Sequence, residues 1–217
     1  MPTDREYAYR VLERLRKAFP DTRIDLECNP FRGLILAILS QNTRDAYAYT
    51  AYKNLERMIG LSVEDIVRAS EEAIAEAIKP AGLQREKARR IREAAKFIAK
   101  MGGSMEAILD LPLDEARAKL MEIEGVGEKT ADVMLLFYGG KPTIPVDTHI
   151  RRVSARLGLV DKGVGYKKIR RGLESLYRSE DYMDVHLLLI ALGRSFCKSR
   201  KPICGLCPVG DICPSKV

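Results

Sequence analysis

An all-α fold is predicted for this 217-residue chain, on three observations. Apolar residues recur at helical spacing along nearly the whole length, alternating β-type runs are scarce, and glycines and prolines cut the chain into about ten helix-length segments with short links. Tyr7, Val11, Leu12 and Leu15 mark a first amphipathic helix, with Thr3 placed three residues before Glu6 as its cap. Pro20 and Pro30 punctuate the chain before a second, carrying Leu34, Ile35, Ile38 and Leu39. In the stretch Tyr47 to Tyr52 the aromatics are assigned to core packing, with base stacking as the alternative. Ser62, just before Val63-Glu64-Asp65, caps the next helix, and Pro80 with Gly82 closes that region. Ile91, Ala94, Ala95 and Ile98 line the inner face of a further helix. Residues 113 to 138 read as helix, glycine turn, helix, and Asp147 caps the patterned stretch Ile150 to Leu157. His186 falls on the apolar run Val185 to Leu192 and is assigned to the core. No internal repeat or low-complexity linker is present.

Composition narrows the class of partner. With 46% hydrophobic and 31% charged residues the chain is an ordinary globule, and its formal charge of +7 favours a polyanionic ligand such as nucleic acid. No apolar run reaches 18 residues, and Met1 to Arg10 is polar, unlike a signal peptide. A soluble, intracellular protein with no membrane partner is therefore expected.

Four of the five cysteines crowd into the tail as Cys197, Cys204, Cys207 and Cys213, framed by Pro202, Pro208 and Pro214. Such a compact thiol loop suits an inorganic centre in a reducing compartment better than a disulfide framework. Four thiolates hold either a zinc ion or an iron-sulfur cluster, and ligand chemistry alone leaves both open. Cys28 stands apart and reads as a small core residue.

The turn between the paired helices reads Glu124-Gly125-Val126-Gly127-Glu128-Lys129. Its glycines permit a tight turn and close approach, and amides at the start of the second helix suit a phosphate oxygen. Lys129 follows at once, and Ile144-Pro145-Val146-Asp147-Thr148-His149 supplies a carboxylate 18 residues later. This segment, Glu124 to Arg152, resembles the helix-hairpin-helix, Gly/Pro-rich and Asp signature of the endonuclease III family of HhH-GPD DNA glycosylases. The cysteine spacing is similar to the [4Fe-4S] loop of that family and of the adenine-mismatch glycosylases, and the likeness extends from about Leu34 to Cys213.

The resemblance implies a two-lobed helical fold. A six-helix lobe with the helix-hairpin-helix would span 24–143, residues 1–23 and 144–217 would form an iron-sulfur cluster lobe, and DNA would bind in the cleft between lobes. It implies a base-excision repair enzyme, acting as a monomer, that removes damaged bases from double-stranded DNA and cleaves the abasic site by β-elimination. Oxidised pyrimidines are the expected substrates, in the cytoplasm and nucleoid of a prokaryote or the nucleus of a eukaryote. Lys129 would be the nucleophile that forms a Schiff base, which requires a neutral amine. Glu128 departs from the family pattern, where a basic residue often precedes the lysine. Asp147 would stabilise the charge that develops on the sugar, and can cap its helix at the same time.

A base inside a stacked duplex has to be extruded before chemistry. Gln41, in Ser40-Gln41-Asn42-Thr43, matches the family's gap-filling glutamine, and Leu83, after Ala81-Gly82, matches its wedge; the bland alternatives are a helix terminus and a core contact. DNA contacts are further expected from Gly125, Gly127, His149, Lys198, Arg200 and Lys201, and Arg85, Lys87, Arg89 and Arg90 are read as a phosphate-facing set, with solvated charges beside the cysteine loop and a solvated helix face as the alternatives for the two groups of cations. Two rivals stand: a monofunctional glycosylase for mismatched uracil or thymine, adenine opposite 8-oxoguanine, or alkylated purines, and a non-catalytic DNA-binding iron-sulfur protein. Lys129 argues against the first, and retention of both Lys129 and Asp147 argues against the second.

Overall fold

The computed structural model describes residues 4–23, 26–27 and 29–216. Among these residues there are twelve α-helices and no strand. Two compact units emerge, one formed by Leu26–Gly140 and the other by Met1–Asp25 together with Lys141–Val217.

The continuous unit holds α2 (Pro30–Ser40), α3 (Asp45–Met58), α4 (Val63–Arg68), α5 (Glu71–Ala77), α6 (Gln84–Lys100), α7 (Glu106–Leu109), α8 (Leu113–Met121) and α9 (Glu128–Phe137). Helix α2 starts where Asn29 accepts the Arg32 amide at 3.1 Å and Pro30 pre-sets the first turn. Its apolar residues surround the axis, so it runs through the core, with Leu34, Ile35, Ile38 and Leu39 fully buried. Each such side chain contributes about 1.5–3 kcal/mol by leaving water. Around it pack Ala48, Ala51, Tyr52 and Leu55 of α3 and Ala88, Ile91, Ala94, Ala95 and Ile98 of α6. The spacing of punctuation suggested fewer helices because it missed a break at Ala69. There Ser70 caps a new helix by accepting the Ala73 amide at 3.1 Å, one short helix after Ser62 and Asp65 have closed a reciprocal capping box.

The discontinuous unit contains α1 (Arg5–Ala18), α10 (Thr148–Arg156), α11 (Tyr166–Leu176) and α12 (Tyr182–Ser195). Ala8, Val11, Leu12 and Leu15 are buried on α1, and α12 carries Val185, Leu188, Leu189 and Leu192 inward. Polar ties join the chain's ends: the Tyr7 hydroxyl donates to the Leu157 carbonyl at 3.0 Å, and Arg16 reaches Asp181 at 2.6 Å and Asp184 at 2.7 Å. Burial pushes the Asp181 carboxyl up, but hydrogen bonds from Tyr9 and Arg16 more than offset this and hold it below the usual value. The cap of α1 is Asp4, which accepts the Glu6 amide at 3.1 Å. Thr3, expected as that cap, and Cys28, expected in the core, lie outside the described residues. No helix among the described residues is long and apolar enough to cross a membrane.

Candidate active site and cluster loop

In the continuous unit, α8 and α9 form the two arms of a hairpin whose turn runs through Gly125 and Gly127. Gly125 has φ +82°, and a β-carbon there would lie 2.5 Å from Arg90 Cδ, so both the backbone angle and the neighbour require glycine. Gly127 caps α9 without a side-chain acceptor and faces open space. The first amides of α9 therefore meet no side-chain acceptor from their cap, in the geometry that suits an oxyanion. Lys129 is the second residue of this helix and is exposed.

Two turns of the same unit carry the residues matched to base extrusion. Gln41 ends α2, its Nε2 donating to the Gly125 carbonyl at 3.0 Å while its Oε1 accepts from Arg90 Nη1 at 2.9 Å. Both ends of the amide are thus held against the hairpin and α6. Leu83 adopts left-handed backbone, φ 49° and ψ 34°, directly before α6 and is 56% exposed, which rules out the core contact weighed as its alternative. The four cations read as a phosphate-facing set do not act as one. Arg85 is exposed, Arg89 pairs with Glu124, and Arg90 pairs with Glu86 and Gln41. Lys87 is 1% exposed and donates inward to Leu39 O, Thr43 Oγ1 and Ala81 O. Burial, reinforced by Arg90, pushes its pKa down. The signal was available: Lys87, Ile91, Ala94 and Ile98 share the helical spacing of the apolar stripe, which no solvated lysine needs. Of the tyrosines in this stretch only Tyr52 packs in the core, its hydroxyl donating to Glu27 at 2.6 Å, whereas Tyr47 and Tyr49 are exposed.

In the discontinuous unit Asp147 caps α10, its Oδ1 accepting the Ile150 amide at 2.7 Å. The extended segment before it is fixed by three groups, of which motif reasoning did not single out Glu174 and Tyr166. Glu174 accepts from Thr143 Oγ1 at 2.9 Å and the Ile144 amide at 3.2 Å, buried His186 donates from Nδ1 to the Pro145 carbonyl at 3.0 Å, and the Val146 amide donates to the Tyr166 hydroxyl at 3.3 Å. His186 is thereby the satisfied core histidine its apolar setting predicted. His149 is half-buried, with Nδ1 3.1 Å from Arg152 Nη2, and packs against Gly193.

The four tail cysteines are free thiols lining one cavity with Leu157, Leu192, Phe196 and Val209. Among the described residues no group of three or more His, Cys, Asp or Glu is placed to hold a metal ion. Gly210 closes the wall so tightly that a β-carbon would lie 2.5 Å from the Cys204 carbonyl. Burial, with the neighbouring thiols adding to it, pushes Cys207 and Cys213 up, so four thiolates there require a cationic centre to balance them. The donor set and its apolar cavity fit a cluster. Arg156 flanks it, with Nη1 3.5 Å from Cys197 Sγ and 2.7 Å from the Lys198 carbonyl. Lys198, Arg200 and Lys201 are exposed on the first loop between ligands.

Comparison with known proteins decides the family. Residues 35–179 match the HhH-GPD superfamily of base excision DNA repair proteins, and 197–213 match the iron-sulfur binding domain of endonuclease III. Endonuclease III of Sulfolobus acidocaldarius is 40% identical over 186 residues, covering 85% of this chain and 82% of the relative. The chain belongs to the endonuclease III family. Endonuclease III of Bacillus subtilis is 32% identical, covering 93% of this chain and 89% of its own. A solved endonuclease III trapped as a covalent intermediate with DNA superposes with a TM-score of 0.87, at 32% identity, over 100% of this chain and 98% of that one. A thermostable thymine-DNA glycosylase shares the fold, with a TM-score of 0.79 at 22% identity. As a member of the endonuclease III family, the chain is a DNA glycosylase and abasic-site lyase of base-excision repair with a [4Fe-4S] cluster, and the four tail cysteines lie within the matched iron-sulfur segment. DNA is its partner. Replacing one ligand, Cys207→Ser, is expected to lose the visible absorption of the cluster and to lower Tm well beyond the shift a ~1 kcal/mol change gives. Iron and sulfide analysis with a thermal melt checks both, and zinc in place of iron would overturn the assignment.

Proposed function

We propose that this enzyme excises oxidised pyrimidines from duplex DNA, with Lys129 as the nucleophile and Asp147 as the group that stabilises the charge developing on the sugar as the base departs. The observation that carries the reading is the pairing of local geometries around these two residues. Lys129 stands exposed on the first turn of α9, beside amides that no capping side chain occupies, and Asp147 is held by its own helix and by a segment pinned at Ile144, Pro145 and Val146. In this role the lysine amine displaces the base at C1′, the sugar ring opens to a protonated imine, and loss of a C2′ proton expels the 3′ phosphate. Gln41 fills the vacated stack and Leu83 wedges the opposite strand, supported by the fixed amide of the one and the exposure of the other. Gly125, Gly127, Lys198, Arg200 and Lys201 meet phosphates, and His149 the backbone near Asp147. One chain carries every group the reaction uses, which supports action as a monomer.

The substrate class is tested by single-turnover base release from duplexes holding thymine glycol, 8-oxoguanine, an alkylated purine or a mismatched thymine. Thymine glycol is expected to react faster than each of the others by at least about tenfold, the equivalent of ~1.4 kcal/mol of transition-state discrimination. Preference for a mismatched thymine without borohydride trapping would turn the assignment to the monofunctional reading.

A further inference from the structure

We propose that Lys87 is a positioning residue that locks the Gln41 turn and the Leu83 turn into one rigid reading head; the proposal rests on the reading of Gln41 and Leu83 as the groups that open the duplex.

Lys87 sits on the inner stripe of α6, four residues before Ile91, yet ends in an ammonium rather than a methyl. Burying a charge costs far more than burying a methionine of similar length, so the amine's presence calls for a function that an apolar residue lacks. All three of its N–H donors are used. One meets the Leu39 carbonyl at 2.7 Å, in the last turn of α2, where carbonyls lack intrahelical donors and the helix end carries negative potential. A second meets Thr43 Oγ1 at 2.6 Å, and the third the Ala81 carbonyl at 3.0 Å. Thr43 closes the set by donating to the same Ala81 carbonyl at 2.6 Å.

These partners bracket the two turns. Leu39 and Thr43 flank Gln41 on either side, and Ala81 stands two residues before Leu83. Both turns contain left-handed non-glycine backbone, Asn42 at φ 54° and Leu83 at φ 49°, a conformation that persists only where neighbouring contacts hold it. A single buried ammonium supplies those contacts to both turns at once. The gap-filling amide and the wedge then meet the duplex at a preset separation, and the entropy of ordering them has been spent before DNA arrives.

The test is duplex opening. In a Lys129→Ala background, which blocks cleavage, 2-aminopurine opposite the lesion reports unstacking, and Lys87→Met keeps the length of the side chain without its donors. Lys87→Met is expected to lower the opening signal, and in the parent enzyme to slow base release from duplex by at least about tenfold, ~1.4 kcal/mol. Borohydride trapping on single-stranded abasic DNA, which needs no opening, stays within about twofold, below ~0.5 kcal/mol. Thr43→Val removes one leg of the clamp and is expected to behave in the same direction, with Thr43→Ser restoring the signal; this pair carries the test if Lys87→Met does not fold. A clamp acting through the two probes also loses its effect when Gln41→Ala and Leu83→Ala are already present, whereas a purely structural lysine adds its cost regardless. Normal opening by Lys87→Met, or by Thr43→Val where the former is unfolded, overturns the clamp while Gln41→Ala and Leu83→Ala still impair opening. If those two variants open the duplex normally, the reading of the probes themselves has failed.

Discussion

Lys129→Ala is expected to abolish the borohydride-trapped adduct on both lesion-bearing and abasic duplexes, and to slow strand cleavage by at least about 10³-fold. The imine that borohydride reduces has only one source in this reading, the Lys129 amine, and alanine removes it while remaining a good helix former on the first turn of α9. The side chain is exposed, so the fold loses little and Tm changes by no more than surface substitutions normally cause. Affinity for a duplex with a non-cleavable abasic analogue should persist, because the turn at Gly125 and Gly127 and its helix amides are untouched. Gel analysis of trapped protein with a parallel binding titration separates these effects. Persistence of the adduct in Lys129→Ala would move the nucleophile elsewhere, and loss of binding together with the adduct would make Lys129 a phosphate contact rather than the attacking group.

Asp147→Asn is expected to lower single-turnover base release by about 10²–10³-fold, the size associated with losing one preorganised electrostatic partner, with almost no change in Tm. The prediction exploits the two roles that meet at this position. Asp147 accepts the Ile150 amide at the start of α10, and asparagine caps a helix about as well as aspartate. What asparagine lacks is the charge that stabilises a cationic sugar. Asp147→Ala loses both and should in addition cost about 1 kcal/mol of stability. Measuring rate and Tm for the two variants side by side therefore divides capping from chemistry. Full activity in Asp147→Asn would reduce this residue to a helix cap.

Much of this protein is legible in the order of its amino acids. Helical periodicity needs only neighbours in sequence, and it announces α1, α2, α6 and α10 with their buried faces, because an amphipathic stripe is a local pattern that the core then completes. Serine and aspartate caps are legible for the same reason at Ser62 and Asp147. The break at Ser70 escapes such a reading, since a capping serine looks like any other until its amide partner is seen. The cysteine spacing and the Gly-x-Gly turn with its lysine are readable because ligand and turn geometries demand particular residues at particular separations.

What the sequence determined by itself was therefore the helical class and the family, both of which are written in short-range spacing. Tertiary structure alone decided the fate of the charges. Lys87, Arg89 and Arg90 look equivalent in a basic stretch, yet one is buried under three acceptors, one pairs with Glu124 and one with Glu86 and Gln41. Equally, nothing local shows that Glu174, His186 and Tyr166 converge on the residues preceding Asp147. A charged or polar side chain takes its role from partners far away in sequence, because desolvation makes it costly until those partners are met, and only the folded chain brings them together.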